Sequence, residues 1–327
     1  MLAASTIAAS SASSHASCLL STTTFLTKIS GGGSDNVIFL GMKPNTKPCS
    51  RGLRVKVKVV QAPEKNMNGY VYRQNFTVKS YEIGANRMAT MGALLNHLQD
   101  TTVDHIKDAG LLDDGFGSTL EMTRRNLIWV VAKMHVLVDR YPSWGDVVQI
   151  ESWFGGASVK NGIANHWILR DANTGETLAQ ANSVWIMMNK ETRKVSKFPE
   201  EVRGEMAPIT MDYCISEDIK LSKLRDNTAD FVQTGLTAWW SDLDLNNHVN
   251  FAKYIGWILE NAPMLILKNH ELFDLAMEFR RECGEGDELK SLTTVTVETD
   301  GNAECQHMLQ LENGIEVMRG RTKWRLK

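Results

Sequence analysis

Trp239-Trp240-Ser241-Asp242-Leu243-Asp244-Leu245-Asn246-Asn247-His248-Val249-Asn250 runs straight into Phe251-Ala252-Lys253-Tyr254-Ile255-Gly256-Trp257-Ile258-Leu259-Glu260. From Val249 onward, Ala252, Ile255, Ile258, Leu259 and Ala262 recur at helical spacing, and Pro263 stops the run. Upstream, Phe231 to Trp240 reads as a strand. Between strand and helix stand Asp244, Asn246 and His248 at alternate positions. Asn246 or Asn247 is suited to cap the helix and satisfy N–H groups of its first turn. A His in that turn sits at the positive end of the helix dipole. Asp244 is placed to hold one of its ring nitrogens and fix the tautomer. An ordinary cap beside a surface histidine would account for an isolated Asn–His pair. Three polar residues ahead of so apolar a helix point instead to chemistry.

Working outward, the same order of elements occurs twice. Phe76 to Ile83 alternates like a strand, and Met91, Leu94, Leu95, Leu98, Thr102 and Ile106 mark a helix ending near Gly110. Strands follow over Leu127–Val138, Val147–Phe154, Gly162–Arg170 and Thr177–Met188, the last two joined by the Asp171-Ala172-Asn173-Thr174-Gly175 turn. After the Asn-His stretch and its helix come strands over Asp274–Cys283, Leu289–Glu298, Cys305–Leu311 and Ile315–Leu326. Strand, central helix, then a meander of strands, twice over, predicts an α+β chain of two hot-dog folds, each an antiparallel sheet wrapped around a central helix. The polar, charge-rich stretch 197–230, with Pro199 and Pro208, reads as the connector. Laid on one another at a constant offset, the halves put Gly84, Asn86 and Met88 where Asp244, Asn246 and His248 stand. The first half is then a degenerate copy, better suited to bind a chain than to react. Its helix residues Met91, Leu94 and Leu95 are the candidate substrate-binding positions.

The Trp240–Glu260 stretch resembles the WSDLDxNxHVN signature and following KYIGWILE helix of plant acyl-acyl carrier protein thioesterases. His270-Glu271-Leu272 and Glu278-Phe279-Arg280-Arg281-Glu282-Cys283 resemble the same family's HEL and EYRREC segments. The resemblance covers nearly everything from Tyr70 to the C-terminus. Arg124 to Tyr141 and Val184-Trp185-Ile186-Met187-Met188-Asn189-Lys190 are closest to the FatB-type, saturated-chain branch. What the resemblance implies is hydrolysis of acyl-carrier thioesters to free fatty acid, without a cofactor or metal. It further implies a catalytic network of Asp244, Asn246, His248 and Glu282, in which His248 and Glu282 activate water, Asn246 orients or polarises, and Asp244 supports His248. A rival scheme makes Cys283 the nucleophile, with His248 and Asn246 beside it. Strand alternation favours that rival, because Leu275, Met277, Phe279, Arg281 and Cys283 share one face while Glu278, Arg280 and Glu282 share the other. An inert core thiol is the third reading of Cys283.

The chain departs from the family at Ile163-Ala164-Asn165-His166-Trp167, where a basic pair and an acid precede the Trp, at Ala238-Trp239 in place of Pro-Arg, and at Phe251 in place of Asn. The apolar segment usual in FatB-type proteins is not seen between Val55 and Lys65.

Composition divides the chain differently. The overall charge is −2, yet residues 1–60 carry seven Lys or Arg against the single acid Asp35, and removing that +6 leaves the body near −8. Ser/Thr/Ala-rich, basic and acid-poor is the composition of an organelle transit peptide. The expected plan is a plastid transit peptide over 1–60, an acyl-chain-binding hot-dog domain over 61–196, a linker over 197–230 and a catalytic hot-dog domain over 231–327, working in the plastid (chloroplast) stroma. No run approaches the roughly 20 apolar residues of a membrane-spanning helix. Cys18, Cys49, Cys214, Cys283 and Cys305 show no metal-ligand spacing and no disulfide framework. The partner expected is acyl carrier protein carrying its acyl chain, with no nucleic acid; the sequence does not give the oligomeric state, although hot-dog proteins tend to pair and a homodimer is one option. Two other functions use the same elements: a hot-dog 3-hydroxyacyl dehydratase and a non-catalytic acyl-binding module. The second would need none of Asp244, Asn246 and His248.

Overall fold

Alternating apolar residues become strands and the long 3.6-residue repeat becomes a helix. The computed structural model describes residues 71–327 except 114–115, 156–160 and 215–218. The transit peptide expected over 1–60 lies outside the described residues. In chain order the first half comprises β1 (Tyr72–Thr77), α1 (Met91–Asp108), α2 (Leu120–Arg124), β2 (Leu127–Val138), β3 (Val147–Gly155), β4 (Gly162–Asp171) and β5 (Thr177–Asn189). Then come β6 (Val195–Ser196), α3 (Glu200–Met206) and β7 (Thr210–Met211). The second half comprises β8 (Phe231–Thr237), α4 (Tyr254–Glu260), α5 (Met264–Asn269), β9 (His270–Phe279), β10 (Glu288–Val297), β11 (Ala303–Leu311) and β12 (Glu316–Leu326).

The strands form one continuous sheet in the order β1-β3-β4-β5-β2-β9-β12-β11-β10-β8, with β6 on β5 and β7 on β3. Read outward from the β2–β9 pair, the two five-strand halves have the same connectivity: β2, β5, β4, β3, β1 on one side and β9, β12, β11, β10, β8 on the other. All these pairings are antiparallel. The tandem hot-dog architecture is therefore present, and its two sheets are fused edge to edge. At the seam Met134 faces Met277 and Val136 faces Leu275. All four side chains are buried in one core that continues through Leu94, Leu95 and Leu98 of α1 and Ile255 and Ile258 of α4. Burying a side chain of this size contributes roughly 1.5–3 kcal/mol, so the seam is part of the hydrophobic interior of both halves. On its other face His135 Nε2 lies 3.1 Å from Asp274 Oδ1, and Arg321 reaches both oxygens of Asp274 at 3.1 and 3.2 Å.

α1 matches the helix read from the sequence. Thr90 caps it by accepting from the Ala93 N–H at 3.1 Å, and Met91, Leu94, Leu95, Leu98, Thr102 and Ile106 are buried along one face. The second half's helix is shorter than its apolar pattern predicts. Residues 251–253 form a 3-10 turn, α4 ends at Glu260, and Pro263 is the N-cap of α5. Proline constrains the residue before it away from helical geometry, which breaks the apolar run in two.

Several boundaries differ from the sequence reading, among them the end of β8, which stops at Thr237 and not at Trp240. The first strand is Tyr72–Thr77, not Phe76–Ile83, because Glu82 turns back to accept from the Lys79 N–H at 2.6 Å and ends pairing with β3. The strand expected to run to Cys283 stops at Phe279. The 197–230 stretch is folded against the first half: Val202, Met206 and Ile209 are buried in a cluster with Phe154, Ile163 and Met187.

Candidate active site

The functional loop lies between β8 and α4. A short turn over Trp240–Asp242 is closed by the Trp239 N–H donating to Asp242 Oδ2 at 3.1 Å. Asp244 and His248 then close a tight loop, with the Asp244 N–H donating to His248 O at 2.8 Å and the Asn247 N–H to Asp244 O at 3.0 Å. Asp244 Oδ1 accepts from the backbone N–H of Asn246 at 2.7 Å and of His248 at 3.4 Å. Its carboxylate thus holds the loop, not the imidazole. The ring is oriented by another atom: Nδ1 lies 2.7 Å from the Asn246 carbonyl oxygen. The cap is Asn250, at the start of the 3-10 turn that leads into α4; its Oδ1 accepts from the Ala252 N–H at 2.9 Å and its Nδ2 donates to Gln99 Oε1 on α1 at 3.0 Å. Neither Asn246 nor Asn247 fills that role, and His248 lies ahead of the 3-10 turn at 251–253 instead of in the first turn of α4.

Glu282 and Cys283 follow β9 and are outside its alternation. Glu282 turns toward the loop, with Oε2 3.3 Å from His248 Nε2. Cys283 is fully buried and its carbonyl oxygen accepts from the Val249 N–H at 2.9 Å. Burial pushes the thiol up to about 11, against the lesser effect of its hydrogen bond with the Tyr254 hydroxyl. The nucleophilic form of cysteine is the thiolate, and this setting opposes it. Cys283 is also not among the residues lining the cavity described next.

A further residue joins the group from the first half. Arg193, in the turn between β5 and β6, donates from Nε to Glu282 Oε2 at 3.1 Å and from Nη2 to Glu282 Oε1. The same Nη2 stands 3.1 Å from His248 Nδ1. Nothing local marks Arg193 in the sequence, since its partners are 89 and 55 residues away.

Asp244, Asn246, His248 and Glu282 all line a cavity of about 500 Å³. It opens where the seam ends. β2 pairs with β9 only over Lys133–Leu137, and beyond a bulge between Val131 and Lys133 it continues alone on that side while the chain leaves β9 at Phe279. Leu127 to Ala132 form one wall, Phe279 to Glu282 the other, and Gln99, Thr102, Val103 and Ile106 of α1 line the interior with Phe154 and Ile163. Met91, Leu94 and Leu95 are not brought to this cavity. They belong to the main core, and the α1 residues that face the cavity lie further along the helix. Among the described residues, no group of three or more His, Cys, Asp or Glu is arranged to hold a metal ion.

Both halves match models of one family: the acyl-ACP thioesterase N-terminal domain over residues 69–206 and the C-terminal domain over residues 225–326. The chain belongs to the acyl-ACP thioesterase family. It is 55% identical over 269 residues to the palmitoyl-acyl carrier protein thioesterase, chloroplastic, of Arabidopsis thaliana, a match covering 80% of this chain and 65% of that protein. It superposes on the 12:0-ACP thioesterase of Umbellularia californica with a TM-score of 0.75 at 46% identity, over 79% of this chain and 94% of the other. An acyl-ACP thioesterase from Bacteroides thetaiotaomicron shares the fold, with a TM-score of 0.64 at 24% identity over 78% of this chain and 98% of the other.

Proposed function

We propose that the chain hydrolyses the thioester linking a saturated fatty acyl chain to acyl carrier protein, releasing free fatty acid and so ending fatty acid synthesis in the plastid stroma. What carries the reading is the cavity itself: an apolar interior from the first half opens onto His248, Asn246 and Glu282 of the second. The acyl chain lies along Thr102, Val103 and Ile106, and the thioester reaches the mouth. Glu282, assisted by His248, takes a proton from water as its oxygen attacks the carbonyl carbon. The Asn246 amide donates to the oxygen that gains negative charge, an interaction of the kind worth about 10²–10³ in rate. Collapse of the tetrahedral intermediate breaks the C–S bond, and the departing sulfur takes up the proton held by the Glu282–His248 pair. Asp244 keeps the loop in shape through its two backbone contacts.

The plastid address is supported by the basic, Ser-rich composition of residues 1–60 and by the chloroplastic naming of the Arabidopsis relative. No helix among the described residues is long and apolar enough to cross a membrane. Within the chain, the β2–β9 seam pairs the two hot-dog units.

The test is to purify the protein and follow thiol and free acid release from acyl carrier proteins loaded with C8 to C18 chains. Release of both supports hydrolysis. Water loss from a 3-hydroxyacyl substrate without acid release would identify a dehydratase, and tight binding with neither product would identify a carrier of acyl chains.

A further inference from the structure

Arg193 occupies a position that the hydrolytic scheme does not itself require. It belongs to the first half, in a turn stabilised by Asn189, whose side-chain oxygen accepts from the N–H groups of Glu191 at 3.2 Å and Thr192 at 2.8 Å. The Arg193 N–H donates to Asn189 O at 2.9 Å, and Arg193 itself takes the left-handed backbone at φ 54°. Held this way, the side chain crosses to the second half and grips Glu282 with two donors in parallel. A planar guanidinium fork fixes a carboxylate in orientation as well as in place, which a lysine ammonium does not.

Counting acceptor sites gives the consequence. A carboxylate offers about four lone-pair positions. On Oε2 they face Arg193 Nε at 3.1 Å and His248 Nε2 at 3.3 Å, and on Oε1 one is taken by Arg193 Nη2. One position remains, on Oε1.

We infer that Arg193 is the positioning residue of the site, a clamp from the non-catalytic half that commits Glu282 Oε2 to His248 and leaves Oε1 as the atom that receives the proton from water. The inference rests on the hydrolytic reading above. The centre is then shared between the halves: the second half carries the acid–base groups and the first half aims them. Because the clamp acts on the base and not on the acyl chain, its loss changes turnover and leaves substrate binding in place. A misplacement of about 1 Å in such a group costs on the order of 10²-fold in rate.

Arg193→Gly suits the test, since glycine accepts a positive φ without strain. Its kcat on acyl carrier substrate should fall about 10²-fold with KM changed less than about threefold, and its thermal unfolding should stay close to that of the wild type. Guanidinium chloride at tens of millimolar should restore part of the lost kcat in Arg193→Gly and none in the wild type, while urea, of the same shape but uncharged, should restore nothing. Arg193→Lys, which keeps the charge and loses the fork, should fall between Arg193→Gly and wild type. An Arg193→Gly enzyme with unchanged kcat overturns the inference, as does a rise in KM alone, or a loss of kcat in folded protein that neither guanidinium nor lysine relieves. Should Arg193→Gly fail to fold, Arg193→Lys carries the test: undiminished kcat there sinks the fork argument. A wild type inactive on every acyl thioester overturns the functional reading itself, whereas an active wild type with an indifferent Arg193 overturns only the clamp.

Discussion

Arg87 and Asn247 stand 160 positions apart in the chain and hold the same left-handed backbone, at φ 64° and 58°. Their surroundings repeat as well. Gly84 N–H donates to Met88 O at 2.9 Å where Asp244 N–H donates to His248 O at 2.8 Å, and an isolated bridge joins Ile83 to Ala89 as another joins Leu243 to Val249. Both halves therefore build this loop, the first with Met88 where the second has His248.

His248 should accordingly be removable without harm to the fold. His248→Ala and His248→Met should lose about 10²–10⁴ of kcat/KM, the range of a general acid–base group, while unfolding free energy changes by no more than about 1 kcal/mol. Paired assays of turnover and denaturant unfolding decide it. Near-normal activity in either variant removes His248 from the chemistry.

Glu282 and Cys283 separate two mechanisms. With its thiol pushed up to about 11 and its side chain fully buried, Cys283→Ser should retain activity within about tenfold, a cost of packing and not of chemistry. Glu282→Gln keeps the shape and loses the base, so kcat should fall by about 10²–10⁴. The opposite ranking, measured on folded protein, would make Cys283 the nucleophile. Alkylation by a thiol reagent is a poorer probe, because a modified Cys283 beside the site could block it sterically.

Chain-length preference should follow the cavity, not the core. Ile106, Phe154 and Ile163 line the cavity, so Ile106→Ala or Ile163→Ala should shift released acids toward longer chains. Leu94 lies in the core and off the cavity. Leu94→Ala should cost about 2–5 kcal/mol of stability with an unchanged product profile. Chromatography of the released acids reads both outcomes, and a profile that follows Leu94 instead would place the chain elsewhere.

Acid should weaken the fold through buried histidines. His307 is fully buried between Thr293 Oγ1 at 3.1 Å and Thr322 Oγ1 at 2.8 Å, and burial lowers it to about 3; burial likewise lowers His105 to about 4. An unfolded histidine titrates near 6.5. Between those values the unfolded chain binds more protons than the folded one, so stability falls as pH drops from about 6.5 toward 3, by up to about 1.4 kcal/mol per pH unit for each histidine. Urea unfolding at pH 7, 5 and 4 should give a shallower loss for His307→Gln than for the wild type. Parallel losses would exclude His307 as a contributor.

Much of this was legible because periodicity reports burial. β2 falls on Leu127–Val138 and α1 starts at Met91, as read from the sequence, because Met134, Val136 and Val138 of the one and Met91, Leu94, Leu95 and Leu98 of the other are buried in the same core. Alternation misled at Glu282 and Cys283. It continues in the sequence after the strand has ended at Phe279, and side chains beyond that point are set by loop contacts instead of the pleat. The cap was misassigned because three asparagines stand within five residues, and only tertiary contact, Asn250 with Gln99, shows which one is used. Arg193 was invisible for a related reason: an ion pair spanning 89 residues leaves no local pattern.

The seam over Lys133–Leu137 and Asp274–Glu278 lies at the middle of the sheet, with four strands beyond it on either side. Amides there should be the last to exchange with solvent deuterium, since opening them requires parting the two halves. It also means that neither half is a safe excision. Cut apart in the 197–230 stretch, each fragment would present a long unpaired strand flanked by freshly exposed core, a template for adhesion to any extended chain. The two fragments expressed together should instead find one another and regain the native ladder, a property suited to a split reporter.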